Sequence, residues 1–273
     1  VSYVGTAYTF SAKPITYTLW AWGTAGYGDL AQNNRTTTSS PVQIPGTKWN
    51  KLLTGQLNAF YGNAATRNDG TLWVWGYNDN GHLGLNSLVN YSSPTQVPGT
   101  TWNVISASYD TFIATKTDGT LWSWGKNSYG SMGVNNTTKY SSPVQVGSST
   151  DWAKGDYQIA SGGGCVGAIK TNGTLWTWGR NNEGKLGHNN PGNVLLSSPV
   201  QVPGTTWRTI ASGGGKELCA TKTDGTLWVW GDNQEGQLGQ NNKVAYSSPV
   251  QIPGTTWSSN QDGGGQTFIL LTK

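Results

Sequence analysis

The sequence predicts an all-β fold: a β-propeller of about five four-stranded blades, closed into a ring by pairing of the N- and C-terminal strands. Three observations carry that reading. The first is a repeat. Leu-Trp-x-Trp-Gly occurs five times, its second tryptophan falling at Trp22, Trp75, Trp124, Trp178 and Trp230, with spacings of 53, 49, 54 and 52 residues. A period near 50 marks stacked supersecondary units. The second is the period inside each unit. In Leu121-Trp122-Ser123-Trp124 alternate residues face opposite sides, as on a pleated strand. The third is the punctuation. Asp69-Gly70, Asp118-Gly119, Asn172-Gly173 and Asp224-Gly225 stand between two such runs, and Asx-Gly is the strongest short hairpin signal.

The remaining elements follow at fixed offsets. Six residues past the tryptophan stands a glycine (Gly28, Gly81, Gly130, Gly184, Gly236), and eight past it an apolar residue (Leu30, Leu83, Met132, Leu186, Leu238). A Pro-Val-Gln-Val-like run opened by Pro41, Pro94, Pro143, Pro199 or Pro249 reads as an edge strand, because proline cannot donate to a ladder. The Trp-x-x-Ile run after it, as in Trp102 to Ile105, reads as the fourth strand. Nothing shows a helical period. The chain ends on Thr267-Phe-Ile-Leu-Leu-Thr-Lys273, the counterpart of Thr111 to Lys116, just before a Leu-Trp-x-Trp would follow, and the N-terminus supplies Thr18 to Trp22. Joining the two would remove open sheet edges. Residues 8–13 compete with 267–273 for one strand position, and the N-terminal run is the one expected to be displaced.

The run Thr-Asp-Gly-Thr-Leu-Trp-x-Trp-Gly-x-Asn-x-x-Gly-x-Leu-Gly resembles the repeat of the regulator of chromosome condensation (RCC1) family. The resemblance covers nearly the whole chain and implies the propeller fold independently. Two departures stand out. Where family repeats usually carry a histidine, this sequence has Gly62, Thr111, Cys165, Glu217 and Phe268. The best-known members have seven blades, and this chain has material for five. The family's exchange activity on a small GTPase goes with a wedge-like insertion, for which spacings of 49–54 leave no room.

Composition sets further bounds. The repeat makes residues 1–273 a single domain. Hydrophobic residues are only 35%, so 15 tryptophans must supply much of the buried area, and every repeated tryptophan is expected inside. Net charge is +4 without a basic cluster, which argues against nucleic acid. Lys116, Lys170 and Lys222 recur one per unit and read as solvated strand positions. Cys165 and Cys219 lie on equivalent strands of neighbouring units, too far apart for a disulfide, and read as buried and unpaired. No run reaches transmembrane length and no signal peptide is evident, so membrane insertion is not expected.

Chemistry is scarce. His82 and His188 occupy different register positions and read as exposed loop residues. Asp69, Asp118 and Asp224 are turn residues; Asp79, Glu183, Asp232 and Glu235 tie down loops. The triple glycines at 162–164, 213–215 and 263–265 precede no helix and cannot be phosphate loops. The reading is therefore non-enzymatic, with no catalytic residue, metal or cofactor. Trp22, Trp75, Trp124, Trp178 and Trp230, with Gly81, Gly130, Gly184 and Gly236, form the structural repeat. Variation concentrates between the Trp-x-x-Ile run and the following strand, where Tyr61, Tyr109, Asp110, Lys216 and Glu217 are the candidate binding residues. Low charge and polar, near-identical units fit a structural or adhesion module displayed outside the cell or on a virion (phage capsid or tail), its partner a shell, fibre or surface protein. The alternatives are a soluble partner-binding propeller of the inhibitor type and a repeat lectin taking a glycan. A lectin requires like residues in every loop; a protein partner requires an asymmetric patch on one face.

Overall fold

A computed structural model describes residues 17–55, 62–108, 111–213, 215–264 and 267–272. They are nearly all β, with a single 3-10 turn at Asn182–Gly184. In the best-defined blade, β8 (Trp102–Ser108), β9 (Thr111–Lys116), β10 (Leu121–Gly125) and β11 (Tyr140–Gln145) pair in sequence order, and β4 (Thr54–Gly55) adds a short parallel fifth strand beside β8. The same four-strand meander is built by β3 (Trp49–Leu52), β5 (Asn63–Arg67), β6 (Leu72–Gly76) and β7 (Tyr91–Gln96). It recurs in β12 (Ile159–Gly162), β13 (Cys165–Ile169), β14 (Leu175–Arg180) and β15 (Leu195–Gln201), and in β16 (Trp207–Gly213), β17 (Glu217–Lys222), β18 (Leu227–Gly231) and β19 (Tyr246–Ile252). Two half-blades flank these four: β1 (Trp20–Gly23) with β2 (Thr38–Gln43), and β20 (Trp257–Gly264) with β21 (Thr267–Thr272).

Three expectations are corrected here. The Trp-x-x-Ile run is not the last strand of its unit but the first of the next blade: β8 pairs with β9, and the Pro-Val-Gln strand β11 is the outer edge. The Asx-Gly hairpin has a three-residue loop rather than two. Lys116 N–H reaches Thr120 O at 3.0 Å, and Gly119 alone takes a positive φ (+83°), the type I turn plus bulge that is the next commonest hairpin. Finally, among the described residues β1 pairs only with β2 and β21 only with β20, so the expected closing ladder between them is not made. No Asx-Gly hairpin tethers β1 to a preceding strand, and pairing the two chain ends carries the loop entropy of a non-local contact. The competing residues 8–13 lie outside the described residues.

The core lies between blades. The second tryptophan of each complete repeat is buried (Trp75, Trp124, Trp178, Trp230). Its ring meets the first-strand tryptophan of its own blade, as Trp124 meets Trp102 at 5.7 Å and Trp230 meets Trp207 at 6.1 Å. Its indole N–H donates to a carbonyl of the preceding blade's loop: Trp75 to Asp29 O, Trp124 to His82 O, Trp178 to Ser131 O and Trp230 to Lys185 O, at 2.7–3.0 Å. One side chain thus fills the core and joins two blades. The glycine six residues on is required for backbone reasons. Gly130 has φ +70°, and a methyl there would sit 2.8 Å from Ser197 Cα of the next blade, a conformation and an approach that only glycine accommodates. Gly81 and Gly184 meet Ser141 and Ser247 alike, whereas Gly236 shares the positive φ with open space around it.

Trp22 departs from the pattern. It is 63% exposed and Trp20 is 54% exposed, against the expectation that every repeated tryptophan is inside. In a complete blade the cover comes from a first-strand tryptophan and an upstream loop. Among the described residues neither stands against β1.

The recurring cations are corrected too. Lys116 Nζ lies 4.5 and 4.1 Å from the ring centroids of Trp102 and Trp122, and Lys222 repeats this over Trp207 and Trp228. Lys170 stands over Trp152 and Trp176, and Arg67 over Trp49 and Trp73. Each is a cation held between two indoles, worth roughly 0.5–2 kcal/mol, rather than a solvated strand residue. Burial pushes the Lys116 ammonium below its ordinary range, and Asp118 partly restores it.

Candidate functional site

Antiparallel blades place their connections on two ends. The Asx-Gly hairpins define one, the hairpin face. The Asn-x-x-Gly-x-Leu-Gly loops and the connections between first and second strands define the other, the loop face.

The loop face is anchored identically in every complete blade. The asparagine of the motif (Asn78, Asn127, Asn181, Asn233) is buried, and its Oδ1 accepts from the backbone N–H of Leu83, Met132, Leu186 or Leu238 at 2.9–3.0 Å. The residue before that apolar one contributes only its carbonyl to the next blade's tryptophan. Its side chain is therefore free to vary, and it does: His82, Ser131, Lys185, Gln237.

These side chains, with the first residues of the second strands, give the mouth three chemistries. On one side His82 stacks on Phe112 at 5.7 Å and lies 5.6 Å from Tyr77, which meets the exposed Tyr27 edge-on. His82 is fully buried, not an exposed loop histidine. His188, also expected outside, is half-buried against the Thr177 hydroxyl at 2.9 Å, and burial lowers its pKa. In the middle Thr111 Oγ1 shares a 2.9 Å hydrogen bond with Ser131 Oγ. On the far side the groups are ionisable. Buried Lys185 donates from Nζ to Gly163 O (2.7 Å) and Gly215 O (3.0 Å), joining two blades at their triple glycines. A side chain on Gly163 would run into the Gly215 carbonyl, so those glycines serve close blade approach. Beside them Cys165 Sγ donates to Gly162 O at 3.0 Å.

Glu217 was expected on the loop surface. Instead it is 1% exposed, and neither carboxylate oxygen has a hydrogen-bond partner. Burial, then the neighbouring Asp232, pushes its pKa up to about 8, so burial favours the protonated acid. Lys216 does face solvent, and its Nζ stands 3.6 Å from Asp232 Oδ2. One blade away Arg180 lies over Tyr129 at 4.9 Å. Tyr61, Tyr109 and Asp110 lie outside the described residues. Cys165 and Cys219 are buried and form no disulfide, as expected, and burial raises both thiol pKa values. Among the described residues no three His, Cys, Asp or Glu side chains converge.

The hairpin face carries an element the sequence reading missed. In three blades the first-strand tryptophan precedes its aliphatic partner by three residues (Trp49 to Leu52, Trp102 to Ile105, Trp207 to Ile210), but Trp152 precedes Ile159 by seven. The extra residues leave the strand as a strap, 153–158, across the inner strands. Unit lengths conceal it, because they vary elsewhere too; only the spacing within the first strand exposes it.

A ring-like array of blades with irregular mouths and a regular frame is a propeller binding module. The chain belongs to the family described as Regulator of chromosome condensation (RCC1) repeat, whose pattern matches residues 69–109, 118–169, 172–216 and 224–266. It is 27% identical to the ultraviolet-B receptor UVR8 of Arabidopsis thaliana over 232 residues, 83% of this chain and 51% of that protein. It is 36% identical to an RCC2 homolog of Danio rerio over 76 residues, 28% of this chain and 15% of that protein. The chain thus spans about half, or less, of these relatives. Human WBSCR16 superposes with a TM-score of 0.74 at 21% identity, over 93% of this chain and 67% of that one. Yeast RCC1 (Prp20) gives 0.74 at 18% identity, over 93% and 63%.

Proposed function

We propose that this propeller is a non-enzymatic protein-binding module that engages its partner through the loop face. The observation behind the proposal is the asymmetry of that mouth. A frame repeated almost residue for residue presents aromatic groups on one side and Lys216, Arg180 and Tyr129 on the other, whereas a repeat lectin would present one chemistry throughout. Relatives lend support: the structure of Prp20p is described with its binding to Gsp1p and histones, and yeast RCC1 was solved with Kap60 bound. Charged residues amount to only 11% of the chain, and this sparse charge on polar repeats favours a fixed place on a virion or cell surface, with a shell, fibre or surface protein as partner.

Cross-linking mass spectrometry in the native source tests this. Cross-links from Lys216 to one protein, lost in Arg180→Glu although Lys216 is retained, and loss of partner capture in Arg180→Glu/Lys216→Glu, are expected. A chain recovered alone, with no cross-link from the loop face, overturns the proposal. Capture on a glycan array that survives the double variant would transfer the function to a lectin.

A further inference from the structure

The strap is held at both ends and in the middle by other blades. Asn103 Nδ2 of β8 donates to Lys154 O at 2.6 Å, and Lys154 Nζ donates to Thr117 O at 2.8 Å. Lys51 Nζ of β3 reaches Asp156 Oδ1 at 2.7 Å. On the far side Ile210 N–H donates to Tyr157 O at 2.8 Å, and Gln158 Nε2 to Arg208 O at 3.4 Å. Three other blades therefore fix these six residues. The result is a tyrosine in the left-handed region, with φ +62° at Tyr157. Lys48, Thr101 and Thr206 take the same conformation at the turn before the first-strand tryptophan of their blades, whereas Tyr157 takes it within the strap.

Beside the strap is a cavity of about 340 Å³, lined by Leu52, Leu53, Val104 and Ile105 together with Lys51, Asp156 and Tyr157. Leu52 is 57% exposed and Tyr157 38% exposed. A partly exposed leucine and tyrosine lining one cavity leave apolar surface that a partner's side chain can cover. Charge decides what fits. The strap and the strand residues tied to it carry three cations (Lys51, Lys154, Arg208) and one carboxylate (Asp156), the strap holding Arg208 by its backbone carbonyl while the guanidinium reaches Trp257 O. Lys154 and Arg208 are bonded to carbonyls, and among the described residues neither makes an ion pair. The Lys51–Asp156 pair is a surface pair, of little net worth and readily exchanged.

We infer that the hairpin-face mouth is a second docking site, taking a protein segment that presents one aliphatic or aromatic side chain flanked by carboxylates. The apolar side chain enters the cavity between Leu52 and Tyr157, and the flanking acids meet Lys51, Lys154 and Arg208. The site lies on the opposite face from the loop-face reading and does not depend on it.

Fluorescence anisotropy on the full chain tests this with three labelled hexapeptides: Asp-Glu-Leu-Phe-Glu-Asp, Lys-Lys-Leu-Phe-Lys-Lys and Asp-Glu-Ser-Ser-Glu-Asp. The first is expected to bind at least about tenfold more tightly than either of the others, and to weaken as salt rises. Leu52→Asp and Lys154→Glu, both at exposed positions, are each expected to weaken it by about tenfold with an unchanged melting curve. Lys216→Glu, on the other face, should leave it unchanged. Equal binding of the three peptides, no binding of the first, or indifference to Leu52→Asp overturns the inference. None of these outcomes touches the loop-face reading, which is judged by Lys216 cross-links.

Discussion

Replacing Glu217 by glutamine removes the one buried acid that the fold holds without a hydrogen-bond partner among the described residues. The carboxyl titrates near 4.5 when unburied and at about 8 in the fold. Between those values the folded chain keeps a proton that the unfolded chain has released, so stability falls as pH rises. The favourable contribution is complete below pH 4.5, is lost progressively as pH approaches 8, and stays lost above it. A displacement of about 3.5 units at 1.36 kcal/mol each sets an upper limit of ~5 kcal/mol. Local relaxation and solvent entry around an ionised carboxylate lower that limit, so we expect about 2–4 kcal/mol at pH 9. Glutamine keeps the shape without the titration. Thermal melts of both proteins from pH 5 to 9 should coincide at the acid end. They should diverge with alkalinity until Glu217→Gln melts roughly 5–15 °C higher, at 2–4 °C per kcal/mol for a domain of this size. The turn carboxylates Asp69 and Asp118, held low chiefly by the Thr71 and Thr120 hydroxyls, act in a separate window: their contribution is present above pH 3.8 and lost below it. Parallel curves across pH 5–9 would show that Glu217 is solvated or paired, and the reasoning would fail.

Trp124→Phe, which strands the His82 carbonyl and opens a void, is expected to cost about 2–4 kcal/mol in chemical denaturation; Trp22→Phe, at an exposed position, should cost less than about 0.5 kcal/mol. Gly130→Ala combines a positive φ with a collision at Ser197 and should lose about 2–4 kcal/mol, against about 1 kcal/mol for Gly236→Ala, where space is open. Comparable losses within either pair would contradict the inter-blade packing described above. Cys165 and Cys219 should resist a disulfide reagent in the native state and react together in guanidinium, because burial both shields the thiols and raises their pKa values. Rapid native labelling of either would mean that its blade opens.

The repeat determined by itself what local chemistry can determine. Leu-Trp-x-Trp-Gly alternates because a strand alternates, Asp-Gly-Thr turns because a side chain and a positive φ make it turn, and neither needs a distant residue. The four-stranded blade, the burial of Trp75, Trp124, Trp178 and Trp230, the lack of a disulfide between Cys165 and Cys219 and the glycine pattern were legible for that reason. Tertiary structure decided everything that depends on the neighbouring blade. His82 is buried because the motif demands only its carbonyl, leaving the side chain to find Phe112 on another blade. Glu217 looks like a loop acid until Asp232 and the adjoining blade enclose it. The lysines look solvated until two indoles of their own blade, one on each strand beside them, are brought over them. The strap is visible as four extra residues, but its tethers come from Lys51, Asn103 and Arg208, separated from it in sequence by about fifty residues or more. Chain-end closure, too, rests on a non-local pairing with no hairpin to enforce it, and there Trp20 and Trp22 remain in water. Period and turn are properties of a segment; burial and charge environment are properties of what packs against it.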